Sequence, residues 1–375
     1  MGGAHGRHRG HYRSTIRAGC AGLVGLPPMT SPPSRRARLH GLAGRVGLAA
    51  LSLGFSLLFA ELALRLALPP PAVPEAGDAW RYPFFAYHER LGWDLVPGAE
   101  SELTLPEATV VVRINGQGLR SDRTYRMERS PGVRRIVVVG DSFTFGYGVE
   151  NDEIYTAVLE RLLDGTEVVN LGVTGYGTDQ QLLKLLDQGL AFHPDQVLVG
   201  LFVGDVFRNA RSEQLGYAKP RFELDGGELR LAGVPVPHRP PPPGLARRSA
   251  LGRLLLGRGR ELVEHLGFGD AWPLTEAIVG RMRDACAAAG CGVRVVIIPK
   301  DQAVYGRGLR RRLHHHATAR LAALLERQGV AYLDLTPALA ARAGDERLYF
   351  EHDGHWTAAG HRVAAEAIAA WLKRP

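Results

Sequence analysis

Two short stretches, more than two hundred residues apart, carry the residue types that nucleophilic chemistry needs. The first is Ile136-Val137-Val138-Val139-Gly140-Asp141-Ser142-Phe143, in which an apolar run stops at a glycine, an acid and a hydroxyl. The second is His352-Asp353-Gly354-His355-Trp356 near the C-terminus. A serine hydroxyl attacks poorly at neutral pH unless a base takes its proton as it does so, and His355 is the candidate base. Asp353 could hold that imidazole in the required tautomer and stabilise the imidazolium. The chemistry on offer is therefore acyl transfer through Ser142. Two plainer readings compete: Ser142 as a helix cap, and a metal site from His352, His355, His361 and Asp353. Zinc sites want three or four ligands at defined spacing, and neither an H-E-x-x-H helix nor a cysteine pair supports one, so no metal or other cofactor is expected. His314-His315-His316 reads as a polar helix face.

These residues need a scaffold that brings them together. From Arg134 onward, β-branched runs alternate with amphipathic ones, predicting strands over 134–139, 167–171, 196–203, 293–298 and 331–335. Helices are predicted over about 152–163, 179–191, 274–289, 313–328 and 358–372. Such alternation demands a mostly parallel sheet covered on both faces. The expected fold class is a flavodoxin-like three-layer α/β/α domain with five strands in the order 2-1-3-4-5. Its switch point would set Ser142, after the first strand, beside Gly204-Asp205, after the third. An insertion at 210–250 holds a predicted hairpin over Arg221–Leu231 and the run Pro240–Pro243, and reads either as a lid or as surface ornament. Gly140–Gly148 lacks the Gly-Lys-Ser/Thr ending of a phosphate loop, no G-x-G-x-x-G follows a strand, and no G-x-S-x-G elbow is present.

The N-terminal third reads differently. Residues 1–42 are a basic tail expected to be disordered and cytoplasmic. Up to residue 40 this tail has seven arginines and no acid, and so carries seven of the chain's eight net positive charges. The high pI thus says nothing of a basic face on the folded part, and no nucleic-acid partner is expected. Residues 43–68 are the expected membrane anchor, with Val46–Ala60 free of charge and Arg65 near enough to the end to snorkel. Arginines on its N-terminal side put the tail inside and everything after Pro69 outside. A cleaved signal peptide is the competing reading, but Glu61 and Arg65 stand where cleavage would fall. A Pro/Ala/Gly linker over 69–81 and a small strand-and-turn appendage complete the span 69–130, and residues 131–375 form the main domain. Cys286 and Cys291 fit either a local disulfide or two buried thiols, and Cys20 lies in the tail.

Three ordered blocks also carry a family resemblance. Gly140-Asp141-Ser142-Phe143-Thr144-Phe145-Gly146, Asn170-Leu171-Gly172-Val173-Thr174-Gly175-Tyr176-Gly177 and Asp353-Gly354-His355-Trp356-Thr357 resemble blocks of the SGNH (GDSL-type) hydrolases. The anchor ending Glu61-Leu62-Ala63-Leu64-Arg65-Leu66, the Leu91-Gly92-Trp93 segment and Asn115-x-x-Gly118-Leu119-Arg120 look like bacterial membrane-anchored members. The resemblance implies Ser142 as nucleophile, His355 as base and Asp353 as its partner. It also implies an oxyanion hole made of the Ser142 N–H, the Gly175 N–H and an asparagine side chain from a Gly-x-Asn-Asp block. The chain here reads Phe202-Val203-Gly204-Asp205-Val206-Phe207-Arg208-Asn209, with no asparagine next to Asp205. The Gly204 N–H or the Asn209 side chain is the expected substitute. The implied activity is hydrolysis of acyl or acetyl esters on an envelope glycan, lipid or other small acylated molecule outside the membrane of a bacterial cell. An O-acyltransferase with the same triad and a non-catalytic envelope-binding module are the alternatives.

Overall fold

The computed structural model describes residues 35–67, 82–238, 249–252, 254–255 and 271–374. The linker over 69–81, the run Pro240–Pro243, Cys20 and most of the basic tail lie outside them. The chain divides into two units, Met1–Leu62 and Ala63–Pro375. Helix α1 (Arg35–Ala67) is the described part of the first and ends just inside the second. It begins within the stretch expected to be disordered, and its portion Arg45–Ala67 spans 23 residues with a mean hydropathy of 1.9 and no burial. By length and composition that portion can cross a membrane.

In the second unit, strands β1 (Phe85–His88) and β2 (Gly92–Leu95) form one hairpin, and β3 (Glu100–Thr104) and β4 (Thr109–Arg113) another. Strand β5 (Arg134–Gly140) leads into the short helix α2 (Ser142–Phe145), then α3 (Tyr155–Leu162), β6 (Thr166–Asn170), α4 (Thr178–Asp187), β7 (Gln196–Phe202) and α5 (Asp205–Arg208). The insertion carries β8 (Glu213–Gln214) with β9 (Tyr217–Ala218), and β10 (Arg221–Asp225) with β11 (Glu228–Ala232). The hairpin expected at 221–231 is therefore joined by a smaller one at 213–218. Strands β12 (Gly292–Ile298) and β13 (Ala331–Asp334) complete the sheet.

The five-stranded sheet is parallel throughout and runs β13-β12-β7-β5-β6, which is the expected 2-1-3-4-5 order read from the other edge. The apolar run of β5 shows why a sheet covered on both sides forms here. Val137 and Val139 enter one core with Leu182, Ile278, Met282 and Leu321, while Ile136 and Val138 enter the other with Leu159, Leu339, Val363 and Ile368. Full burial of each such side chain is worth about 1.5–3 kcal/mol. Both cores thus fix the register of β5, and with it the height at which Ser142 leaves the sheet. The N-terminal hairpins join the first core through Phe85, Trp93, Leu103 and Val112.

Candidate active site

The turn after β5 is built by close approach. A Cβ on Gly140 would lie 1.9 Å from Thr144 Oγ1, and one on its strand neighbour Gly200 would lie 2.4 Å from the same atom. Both positions must be glycine for α2 to settle onto the strand ends, where Thr144 and Tyr155 exchange a 3.0 Å hydrogen bond. The cap of α2 is Asp141, whose Oδ1 accepts from the Phe143 N–H at 3.0 Å, so the capping role considered for Ser142 falls to its neighbour. At the other end of α2 the buried Arg120 donates to the carbonyls of Phe145 (3.2 Å), Gly146 and Val149, and to Asn151 Oδ1 (3.0 Å). Burial without a directly bonded carboxylate pulls the Arg120 guanidinium down to about 9.

Ser142 Oγ lies 2.8 Å from His355 Nε2, across 213 residues of sequence. His355 Nδ1 is hydrogen-bonded to Asp353 Oδ1, which also accepts from the His355 backbone N–H at 3.3 Å. Only Gly354 separates the two residues, and its positive φ of 77° makes the turn tight enough for both bonds. Burial raises the Asp353 pKa, but its bond to His355 and that ring's charge more than offset the effect and hold it below the ordinary carboxylate value. The turn is closed by Phe350 N–H to His355 O (2.8 Å) and Gly354 N–H to Phe350 O (3.2 Å). Phe143 and Tyr147 flank the imidazole at ring distances of 5.0 and 4.7 Å.

The second block is placed by the N-terminal hairpin. Trp93 Nε1–H donates to Thr174 O (3.1 Å), and the Tyr176 hydroxyl donates to Trp93 O (2.6 Å), holding Gly175 between them at φ 86°. The N–H groups of Ser142 and Gly175 donate to no protein acceptor among the described residues, which leaves two backbone donors at the site. Asn209 does not reach it. Its amide donates to Thr178 Oγ1 and Thr275 Oγ1, both at 2.8 Å, and its oxygen accepts from the Asp179 N–H at 3.1 Å, so both of its hydrogens are spent in tying α4 to the helix Ala271–Ala288. The expectation that Asn209 stands in for the missing asparagine is therefore corrected. Gly204 opens α5 and packs on the Phe202 ring, and its N–H, the other substitute expected, likewise donates to no protein acceptor among the described residues.

The remaining histidines are held apart. His352 Nδ1 contacts Glu107 Oε1 at 2.6 Å, and the buried His361 accepts from the Tyr155 N–H at 3.2 Å. Three contributors are not evident in the sequence. Glu107, in the β3–β4 turn, accepts from the N–H groups of Glu351 (2.9 Å) and His352 (2.8 Å) and so grips the turn that carries Asp353 and His355. Arg208 donates to Asp141 Oδ2 at 2.8 Å. Leu215, at the β8–β9 turn with a φ of 55°, packs where a Cβ on Gly175 would lie 2.5 Å from its Cδ1. The insertion is bolted down beside it by the ion pair of Lys219 and Asp179, both fully buried. Cys286 and Cys291 are free thiols, the first buried.

A profile of the GDSL-like lipase/acylhydrolase family matches residues 138–363. No curated protein matches. Among solved structures, a lipolytic protein of the G-D-S-L family from Desulfitobacterium hafniense is similar at 14% identity and a TM-score of 0.39, covering 63% of this chain and 98% of that one. A variant of an acetylxylan esterase from Geobacillus stearothermophilus is similar at 16% identity and a TM-score of 0.42, covering 66% and 98%. The family match spans more than half of the chain and includes the Ser142 helix, the Gly175 segment and the His355 turn. The protein belongs to the GDSL-like lipase/acylhydrolase family and is an ester-hydrolysing enzyme of the SGNH fold.

Proposed function

We propose that the protein is a membrane-anchored serine esterase that removes short acyl groups, such as acetyl, from a glycan or lipid outside the cytoplasmic membrane. The observation that carries this reading is the hydrogen-bonded line Ser142 Oγ to His355 Nε2 (2.8 Å) and His355 Nδ1 to Asp353. Ser142 Oγ attacks the ester carbonyl carbon, its proton passes to His355 Nε2, and the carbonyl π pair moves onto oxygen. The Ser142 and Gly175 N–H groups face that charge. The carbonyl re-forms as the C–O bond to the alcohol breaks, and the alcohol leaves with the His355 proton. Water, deprotonated by the same nitrogen, then attacks the acyl-serine; collapse releases the acid and returns the proton to Ser142. Short acyl groups are favoured because Ser142 is only 3% exposed and Leu215 presses on Gly175.

The test is turnover of p-nitrophenyl acetate and octanoate by the full chain in detergent. Ser142→Ala and His355→Ala each lower kcat by about 10³-fold or more, and acetate is preferred to octanoate in wild type. Equal turnover by the Ser142→Ala chain would sink the assignment. The apolar span Arg45–Ala67 supports a single-pass anchor with the arginine-rich end inside. Retention in the membrane pellet after alkaline carbonate extraction is expected, and release into the supernatant would contradict it.

A further inference from the structure

With Asn209 committed elsewhere, the oxyanion formed at Ser142 has backbone donors alone and lacks the side-chain donor that the family resemblance implies. Position 204, which precedes Asp205, cannot supply it. A Cβ there would lie 2.4 and 2.9 Å from atoms of the Phe202 ring, and that ring is itself packed against Phe143 at 5.0 Å. The space is filled, and what lies over it is a cation: Arg208 Cζ sits 5.5 Å from the centre of the Phe202 ring. Arg208 Nη1 donates to Asp141 Oδ2 (2.8 Å), Asp205 Oδ1 (2.5 Å) and Tyr176 O (2.9 Å). Asp141 directly precedes Ser142 and Tyr176 directly follows Gly175, so this one guanidinium joins the two segments that bear the backbone donors. Asp141 Oδ2 also lies 3.4 Å from Ser142 Oγ, so the atom that holds the guanidinium is a neighbour of the nucleophile as well.

All three protein bonds of Arg208 use Nη1, and its Nη2 and Nε have no partner among the described residues. The side chain is 15% exposed, whereas Asp141 and Asp205 are fully enclosed, and neither Nη2 nor Nε is among the fully buried polar atoms that lack a partner. We propose that Arg208 is a catalytic residue that donates from its free Nη2–Nε edge to the acyl oxyanion, in place of the missing asparagine. Burial and the neighbouring Asp141 hold the Asp205 carboxyl well above the ordinary carboxylate range. A charge-assisted donor of this kind strengthens as the carbonyl oxygen becomes anionic, which is the requirement for lowering the barrier rather than only binding substrate.

The inference rests on Ser142 as nucleophile, and the test separates the two. The full chain in detergent is assayed with p-nitrophenyl acetate, a neutral ester with no anion for Arg208 to bind in the ground state. Arg208→Gln is expected to lower kcat on the order of 10²–10³-fold with KM little changed. Arg208→Lys should fall between it and wild type, and guanidinium ion added to Arg208→Gly should restore part of the loss. A kcat unchanged in Arg208→Gln, or a change confined to KM, overturns the proposal while leaving the serine mechanism standing. Equal losses in Gln and Lys variants without guanidinium rescue mean a purely structural role and overturn it as well. If Arg208→Gln does not fold, the Lys variant, which keeps the charge between the two carboxylates, decides by the same criterion. Wild-type turnover that survives Ser142→Ala removes both readings.

Discussion

At the scale of single residues, the site separates tasks that one residue type could have confused. Asp141 caps the helix and accepts from Arg208, which leaves the Ser142 hydroxyl to face His355. Three histidines near the C-terminus look interchangeable in sequence, yet each has a different environment. His355 lies between Ser142 and Asp353, His352 is exposed against Glu107, and His361 is buried beside Tyr155. Burial lowers the His361 pKa from an ordinary 6.5 to about 3, aided by the Arg120 and His355 charges. Between those two values the unfolded chain binds a proton that the native chain refuses. The neutral imidazole therefore contributes fully to stability above pH 6.5, and that contribution is lost as pH falls toward 3. Its share of the slope is up to ~1.4 kcal/mol per pH unit. Thermal melts from neutral pH to the acid side should show a steeper decline for wild type than for His361→Gln, which keeps an acceptor for the Tyr155 N–H. Parallel declines would contradict this.

At the scale of elements, the hairpins before the sheet do more than decorate it. The β1–β2 hairpin holds the Gly175 segment through Trp93, and the β3–β4 turn holds the His355 turn through Glu107. Each carboxylate oxygen of Glu107 accepts from one backbone N–H of the turn, so the side chain holds two successive residues of the turn at once. Glu107→Ala should therefore lower kcat about tenfold or more by letting His355 drift from Ser142, with KM little affected, whereas Glu107→Gln, which keeps one acceptor oxygen, should retain part of it. Steady-state kinetics on p-nitrophenyl acetate check this, and an unchanged kcat in Glu107→Ala would refute it. The sheet was legible in sequence because β-branched runs such as Ile136–Val139 leave few options but a strand covered on both faces, and the order 2-1-3-4-5 followed. The pairing of Ser142 with His355 in space was legible because the chemistry each could do needs the other. Glu107 was not, since its value depends on how a hairpin docks across 245 residues of sequence. Nor was the role proposed for Arg208, because only the structure reveals that Phe202 occupies the space beside Gly204 and that Asn209 is spent between helices.

At the scale of the whole molecule, the reactive centre is assembled from parts that no single stretch contains. In the proposed mechanism the nucleophile Ser142 leaves the first sheet strand, the oxyanion donor Gly175 follows the second, the Arg208 guanidinium follows the third, and the base His355 comes from the turn before the last helix. A parallel sheet brings all of these to its carboxyl edge, where open α/β folds place their ligands. The insertion, fastened by the buried Lys219–Asp179 pair, covers the Gly175 side of that edge. The span Arg45–Ala67 is long and apolar enough to cross a membrane, and the anchor proposed for it would put this reactive centre in the same polypeptide as a membrane segment. The central claim is that Ser142, activated by His355, forms the covalent acyl intermediate. Its most direct test is to treat the full chain in detergent with a fluorophosphonate probe and map the adduct by mass spectrometry. The account predicts one adduct, on the peptide containing Ser142, absent from Ser142→Ala and strongly slowed in His355→Ala. No adduct on wild type, or an adduct that persists in Ser142→Ala, would contradict it.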